Sequence, residues 1–208
     1  MGTNRMESFS DGVIAVAITL LVLGITVPEP PPAHPVHPVH SLLYLLAGKW
    51  PDFAAYATSF ITIGIIWINH HAMIARLRET DHAILILNLL LLMSIGILPF
   101  ATELMATYLR QSHGESVAAA LYSGSFLLMS IMFGALNRHI MLRKHHMITE
   151  ELSLERRRQI LSRAVVGLIP YALATALAFV SPYVTLAICA VVAAFYAQPI
   201  ASGVERRA

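Results

Sequence analysis

The sequence predicts an all-α membrane protein, and its composition, hydropathy and apolar runs carry that prediction. The 208 residues are 57% hydrophobic and only 12% charged, whereas an ordinary soluble domain carries roughly 25% charged residues. The mean hydropathy of +0.67 leaves too little polar surface to coat a water-soluble globule. Apolar runs of about 20 residues, the length that spans a bilayer, recur with only short loops between them. The composition therefore argues against a soluble enzyme or a nucleic-acid-binding module.

The first predicted span covers residues 6–27 and is expected to remain in the mature protein. A signal peptide also begins with an apolar run, but here Glu7 and Asp11 precede the run and no clear cleavage site follows it. The loop 28–40 is rich in proline, which blocks a helix and favours extended polyproline II structure.

Short charged turns bound the remaining predicted spans. The second span follows Pro51, and proline suits the first positions of a helix. The third is predicted to kink at Pro99. A basic connector, 143–159, which is expected to be partly helical, separates the fourth from the fifth. The six predicted transmembrane helices form one domain over 1–208 and cover 6–27, 52–75, 82–108, 116–142, 160–180 and 183–200.

The orientation follows from the basic residues, because cytoplasmic loops carry an excess of Lys and Arg. With the N-terminus in the cytoplasm, only Lys49 and Arg110 of the 14 basic residues fall outside. An even number of spans then places the C-terminus in the cytoplasm as well. We expect a multi-pass protein of a bacterial-type plasma membrane.

A helical wheel of the first span reveals an apolar stripe within an arc of about 80°. The apolar stripe consists of Phe9, Gly12, Val16, Leu20, Leu23 and Val27. Thr19 and Thr26 border it on one side. For an arbitrary membrane helix, such a stripe faces lipid or packs in a bundle. The alternative is a pore wall, in which hydrophobic rings gate by dewetting and hydroxyl groups coordinate ions.

Polar residues are predicted to meet near the cytoplasmic end of the first span. Ser10 and Asp11 lie about one turn inside that end, and the second span returns to the same depth. Four polar residues of the second span arrive there: Trp67, Asn69, His70 and His71. A carboxylate accepts hydrogen bonds from indole, amide and imidazole groups, so a network with Asp11 is expected. Because Asp11 points away from the apolar stripe, a structural network is favoured over direct ion binding.

Other motifs carry weaker signals. His34, His37 and His40 recur every third residue, which is the period of polyproline II, and imidazole binds Zn²⁺, Cu²⁺ and Ni²⁺. A solvated loop without metal is the favoured interpretation, so neither a metal nor another cofactor is predicted. Cys189, the single cysteine, is interpreted as a small hydrophobe. No metalloprotease, nucleophile-elbow or P-loop motif occurs, so no enzyme activity is assigned.

Two motifs resemble the transmembrane protein 175 family of potassium channels. The first is Arg5-x-x-x-Phe9-Ser10-Asp11-Gly12-Val13-x-Ala15-x-x-x-Thr19-Leu20-x-x-Leu23. The second is Trp67-x-Asn69-His70-His71, at the end of the second span. The six-span layout is similar along the whole chain, although spans three to six match in layout alone. The resemblance implies a homotetramer whose central pore is lined by the first helix of each subunit, with K⁺ as the permeant ion.

The resemblance also implies roles for individual residues. It implies a hydrophobic pore constriction at Val16, Leu20 and Leu23, and ion selectivity at Thr19. Many relatives carry isoleucine where Val16 stands, so the narrowest ring is expected either to be wider here or to lie at Leu20 instead. It further implies a structural polar network that holds the pore helices, formed by Arg5, Phe9, Ser10, Asp11, Trp67, Asn69, His70 and His71.

Three classes of function are compatible with these features. The leading hypothesis is passive K⁺ conduction through a potassium-permeable cation channel. The alternative is a proton-coupled transporter or proton pathway that uses Asp11, His70 and His71, because intramembrane acids and histidines also serve as proton relays. The third is a scaffold subunit without transport. The expected partners are further copies of the chain, membrane lipids and monovalent cations, and no nucleic acid.

Overall fold

A computed structural model describes residues 3–29, 42–111, 113–144, 147–149 and 153–198. Within these ranges the chain is helical, apart from an isolated antiparallel bridge between Leu77 and Ile148. Two shorter apolar helices accompany the stretches that are long and apolar enough to cross a membrane. The described residues contain four such stretches: Thr3–Gly24, Trp50–Ile74, His82–Tyr108 and Glu115–Arg143. The prediction of an all-helical membrane protein is confirmed.

The helices follow one another with few residues between them. In chain order they are α1 (Thr3–Leu20), α2 (Leu42–Gly48), α3 (Trp50–Ile74), α4 (His82–Gly96), α5 (Leu98–Tyr108), α6 (Glu115–Arg138), α7 (Leu154–Val166), α8 (Leu168–Leu177) and α9 (Pro182–Tyr196). A 3₁₀ turn, Leu21–Gly24, extends α1, and a π-helical turn, His139–Arg143, extends α6.

Local chemistry explains several helix ends. Asp81 caps α4, because its carboxylate accepts a hydrogen bond from the backbone N–H of Ile84 at 2.9 Å. The third predicted span is divided at Ile97, between α4 and α5. The division lies two residues before Pro99, whose ring removes a backbone donor and clashes with the preceding turn.

The fifth predicted span, 160–180, corresponds to two helices. The polar, arginine-rich α7 begins at Leu154, and Gly167 separates it from the apolar α8. Glycine lowers helix stability because its backbone has more freedom to lose than that of any other residue. The helical structure therefore begins earlier than the apolar run on which the prediction rested.

α6 lies at the centre of the bundle and packs against α4, α5, α8 and α9. Its large buried side chains include Tyr122, Phe126 and Met129. Polar contacts join neighbouring helices in this core: the Ser59 hydroxyl lies 2.7 Å from that of Thr102 and 3.2 Å from that of Tyr122. Such contacts are a common source of helix–helix adhesion inside membranes. α1 lies at the side of the bundle, against α3 and α4.

Two loops meet at the end of the bundle that holds the start of α1. The backbone N–H of Arg78 donates to the carbonyl of Met147 at 2.9 Å, and that of Thr149 donates to the carbonyl of Arg76 at 2.8 Å. An ion pair between Lys144 and Asp81, 2.9 Å from nitrogen to oxygen, lies beside them. The α3–α4 loop is thereby fastened to the segment that follows α6.

Candidate functional site

α1 presents one face to the bundle. Its buried residues recur at intervals of three or four and are Met6, Ser10, Ile14 and Ala17, continued by Leu21 in the 3₁₀ turn. This period matches one side of a helix. α1 is therefore packed along its full length and does not project freely from the bundle.

The apolar stripe lies on the opposite side of α1 and is exposed along its whole length. The exposed fractions are 57% for Val16, 44% for Leu20 and 72% for Leu23. Thr19 is also exposed, and its hydroxyl donates a hydrogen bond to the carbonyl of Val16 at 2.9 Å. The surface is thus apolar, bordered by hydroxyl groups, and unused by the packing of this chain.

The 3₁₀ turn brings the end of the first span close to α5. A Cβ atom placed on Gly24 would lie 3.4 Å from the Cβ atom of Glu103. This distance is van der Waals contact, so the turn packs directly against α5. The chain then continues in an extended conformation at Ile25, so Val27, the last residue of the apolar stripe, lies beyond the helical part of the predicted span 6–27.

Two polar contacts, which we call the polar clamp, join the other end of α1 to α3. The indole N–H of Trp67 donates to a carboxylate oxygen of Asp11 at 2.9 Å. The Nδ1 atom of His71 lies 2.8 Å from a carboxylate oxygen of Glu7. Glu7 and Asp11 are four residues apart, as are Trp67 and His71, so two successive turns of antiparallel helices are matched.

A buried chain of hydrogen bonds links α1 to both α3 and α4. The amide of Asn88 donates to the hydroxyl of Ser10 at 2.9 Å, and that hydroxyl donates to the carbonyl of Met6 at 2.8 Å. The Nε2 atom of His70 lies 2.8 Å from the amide oxygen of Asn88. Because an amide oxygen accepts and cannot donate, Nε2 carries the hydrogen. Ser10, His70 and Asn88 are all buried.

The predicted network is therefore divided between two sets of contacts. Asp11, Trp67 and His71 belong to the polar clamp, whereas Ser10 and His70 belong to the buried chain. Within the described ranges, Asn69 takes part in neither, because its amide donates to the carbonyl of Ile65 in its own helix. Arg5 and Phe9 lie exposed on α1. The histidines of the loop, His34, His37 and His40, lie outside the described residues.

The sequence did not predict the contacts that Glu7 and Asn88 make. Glu7 carries a usable signal, since it lies four residues before Asp11 and at the depth of His71. Asn88 lies inside the third predicted span, and its hydrogen bonds join α4 to α1 and α3. Its two partners could not be read from the sequence, because the pattern does not tell which helices are neighbours. No group of three or more His, Cys, Asp or Glu residues suited to a metal occurs in the described part of the chain.

These features define the class of protein. Its membrane-length helices form a bundle around buried hydroxyl and aromatic contacts. Its first helix is fastened at one end by polar contacts and turns an apolar stripe away from the bundle. The chain is a multi-pass, all-helical integral membrane protein.

Comparisons with known proteins narrow the class to a family. The family model "Endosomal/lysosomal potassium channel TMEM175" matches residues 5–99. A potassium channel of Streptomyces collinus is 39% identical over 194 residues, 93% of this chain and 91% of the relative. The crystal structure of a lysosomal potassium-selective channel TMEM175 homolog from Chamaesiphon minutus has a TM-score of 0.81 at 37% identity, and covers 97% of this chain and 98% of its own.

Animal relatives match a shorter part of the chain. The mouse endosomal/lysosomal proton channel TMEM175 is 36% identical over 118 residues, 55% of this chain and 23% of the mouse protein. The bacterial relatives match nearly end to end. The chain belongs to the TMEM175 family, and the members named here are channels rather than enzymes.

Proposed function

We propose that this chain is the subunit of a potassium-permeable cation channel whose pore is lined by α1. The observation that carries the proposal is the exposure of the whole apolar stripe on a helix whose other side is packed. A lipid-facing helix shares this exposure, so the hydroxyl edge formed by Thr19 and the channel relatives favour a pore wall. The bacterial relatives named as potassium channels support the choice of ion.

The chemistry of the apolar stripe suits a gated cation pathway. Rings of Val16, Leu20 and Leu23 would exclude water when narrow, which closes a pore by dewetting. The hydroxyl hydrogen of Thr19 is engaged by the carbonyl of Val16, so its oxygen lone pairs remain available to a cation. Thr19 is the residue proposed to contribute ion selectivity.

The pore requires several copies of the chain, because one α1 helix cannot enclose a channel. We propose a homotetramer with six spans per subunit, all within one domain over 1–208. Both termini would lie in the cytoplasm, which places Lys49 and Arg110 at the outer end.

The polar clamp and the buried chain supply the support that such a pore helix needs. They fasten α1 to α3 and α4 on the side away from the apolar stripe. Of the predicted network, Ser10, Asp11, Trp67, His70 and His71 would thus position the pore helix instead of binding the ion, whereas Arg5 and Phe9 are exposed and Asn69 bonds within its own helix. Fixed supports of this kind hold a functional surface in one geometry.

The decisive experiment is potassium flux into liposomes that contain purified protein. Leu20→Ala or Leu23→Ala should raise flux several-fold, because a smaller ring lowers the barrier to hydration of the constriction. Leu128→Ala is the matched control, because Leu128 on α6 is 41% exposed, close to the 44% of Leu20. Thr19→Ala should shift the reversal potential in mixed K⁺ and Na⁺ toward lower selectivity. Equal flux in the Leu20, Leu23 and Leu128 variants would contradict the proposal that α1 lines the pore.

A proton pathway is the second candidate. The animal relatives named as proton channels favour it, as do the ionisable residues Asp11, His70 and His71 near one end of the bundle. A pH-sensitive dye inside potassium-free liposomes distinguishes the two. Acidification driven by a proton gradient alone, reduced in Asp11→Asn and unchanged in Leu20→Ala, would favour the proton pathway over the α1 pore.

A further inference from the structure

Lys49 joins the end of the first span to the start of α3. Its ammonium group donates a hydrogen bond to the hydroxyl of Thr26 at 2.7 Å. The same nitrogen lies 3.6 Å from a carboxylate oxygen of Asp52. Thr26 follows Leu23 by three residues, just beyond the 3₁₀ turn. The contact therefore fixes a positive charge beside the last turn of the apolar stripe.

The charges around Lys49 are mostly negative. Asp52 is its ion-pair partner, Glu103 packs beside Gly24, and Glu29 is exposed shortly after Thr26. The other cation at this end, Arg110, points toward α2, because its guanidinium donates to the carbonyl of Gly48 at 3.0 Å. Lys49 is thus the cation that contacts the segment leading out of α1.

We propose that Lys49 is a positioning residue that sets the electrostatic potential at the outer mouth of the pore. It holds Thr26 through the hydrogen bond and balances the charge of Asp52. This inference rests on the proposed function, because the α1 stripe must line the pore for Lys49 to face the permeant ion. With four subunits, four such charges surround one entrance and lower the local concentration of cations.

The expected effect depends on ionic strength. The Debye length is about 30 Å at 0.01 M salt and about 8 Å at 0.15 M. Four charges about 9–15 Å from one axis, acting through water, change the local potassium concentration by roughly three- to ten-fold at the lower salt. At the higher salt, screening reduces the change to less than about three-fold.

Tracer exchange of rubidium in liposomes, with equal potassium concentrations inside and outside, tests the proposal. Lys49→Gln should increase exchange relative to the unsubstituted protein by roughly three- to ten-fold at 10 mM potassium and by less than about three-fold at 150 mM. Lys49→Arg retains the charge and the donors, so its exchange rates should equal those of the unsubstituted protein at both concentrations. Arg110→Gln is the comparison variant, because it removes a cation from the same end of the molecule without touching Thr26. At 10 mM potassium it should increase exchange by a smaller factor than Lys49→Gln.

The outcomes separate this inference from the proposed function. A Lys49→Gln effect of the same size at both salt concentrations, or an equal effect of Arg110→Gln, overturns the role of Lys49. If Leu23→Ala raises exchange while Lys49→Gln does not, the inference fails and the α1 pore stands. If neither variant alters exchange, the α1 pore itself fails.

Discussion

At the scale of single residues, the hydrogen bonds of the buried chain all point in one direction. His70 donates to Asn88, Asn88 donates to Ser10, and Ser10 donates to the carbonyl of Met6. Each donor is matched to one acceptor, so removing a link leaves a buried polar atom without a partner. Such an orphaned group costs about 1–3 kcal/mol in soluble proteins, whereas interhelical hydrogen bonds in membranes average about 0.6 kcal/mol and reach about 1.7 kcal/mol.

Ser10→Ala is therefore expected to lower the free energy of unfolding by about 0.5–2 kcal/mol. The substitution removes the acceptor of the Asn88 amide while preserving the helix. Unfolding by a denaturing detergent in mixed micelles measures the change.

Ser125→Ala on α6 is the control for this loss. The Ser125 hydroxyl donates only to the carbonyl of Leu121 in its own helix, and the residue is not buried. Its replacement should change the free energy of unfolding by less than about 0.5 kcal/mol. Equal losses in the Ser10 and Ser125 variants would show that the chain to Asn88 contributes nothing to stability.

The contact between Trp67 and Asp11 is one that depth alone could predict. Asp11 and Trp67 lie at the same level on antiparallel helices, and a carboxylate accepts from an indole, so their contact followed from the sequence. Asn69 lies at the same level but on another side of α3, where its amide turns back to Ile65. The depth of a residue in the membrane gives its position along the helix axis but not the side of the helix on which its side chain lies.

At the scale of secondary-structure elements, Asp81 connects two segments that are distant in the chain. One carboxylate oxygen caps α4 through Ile84, and the other pairs with Lys144 after α6. The backbone hydrogen bond from Ile84, followed by the contact with Lys144, holds the pKa of Asp81 below its ordinary value. The charged form is therefore the one that stabilises the fold.

Asp81→Asn should consequently lower thermal stability at pH 7 by about 1–4 °C, because it keeps the helix cap but loses a partly exposed ion pair of about 0.5–1 kcal/mol. A depressed pKa contributes stability above the unfolded value of about 3.9, and the contribution is lost as the pH falls through the lower folded value. The difference between the two proteins should disappear in acid.

Melting curves of detergent-solubilised protein between pH 7 and pH 3 measure this difference. Lys144→Gln should reproduce the loss at pH 7, whereas Glu79→Gln, which alters another acid of the same loop, should not. A difference between Asp81→Asn and the unsubstituted protein that grows in acid would contradict the assignment.

Helix identity was easier to predict than helix ends. The break at Ile97 follows from Pro99, because proline disturbs the preceding turn for a steric reason. Helix within the connector 143–159 was predicted, but its start at Leu154 was not, because the arginines interrupt the apolar run on which the spans were assigned. A helix that extends beyond the membrane carries no hydropathy signal.

At the scale of the whole molecule, the exposed apolar stripe predicts where copies of the chain approach one another. Leu23→Cys in a Cys189→Ala background should form a disulfide between subunits after mild oxidation, because pore-lining residues converge on one axis. The native chain has one cysteine, which is buried, so the introduced thiol is the sole reactive one. Each chain can form one disulfide, and covalent dimers are therefore expected on a denaturing gel.

Leu128→Cys is the control for random encounter in the membrane, because Leu128 is a comparably exposed residue on another helix. Light scattering of the unoxidised protein in detergent should give the mass of four chains. Dimers that form equally from both cysteines, or the mass of a single chain, would contradict the homotetramer.

The sequence predicted the class of the molecule because hydropathy and charge are properties of whole segments. It could not predict that α6 would be central or that α4 would supply Asn88 to α1. The apolar stripe illustrates the same limit, because six residues on one side of a helix identify a surface without identifying what covers it. Packing depends on which segments are neighbours, and an apolar run carries the same hydropathy against lipid as against protein.

The polar clamp has a mechanical consequence. Two contacts one helical turn apart fix both the axial position and the rotation of α1 against α3. Sliding α1 along α3 by a single residue, about 1.5 Å, would misalign Glu7 with His71 and Asp11 with Trp67 together. Rotation of α1 about its own axis would break the same pair. While both contacts hold, the freedom left to α1 is bending farther along, toward the 3₁₀ turn at Leu21–Gly24. A rearrangement of α1 would therefore be a bend away from this fixed end and not a translation along the helix axis.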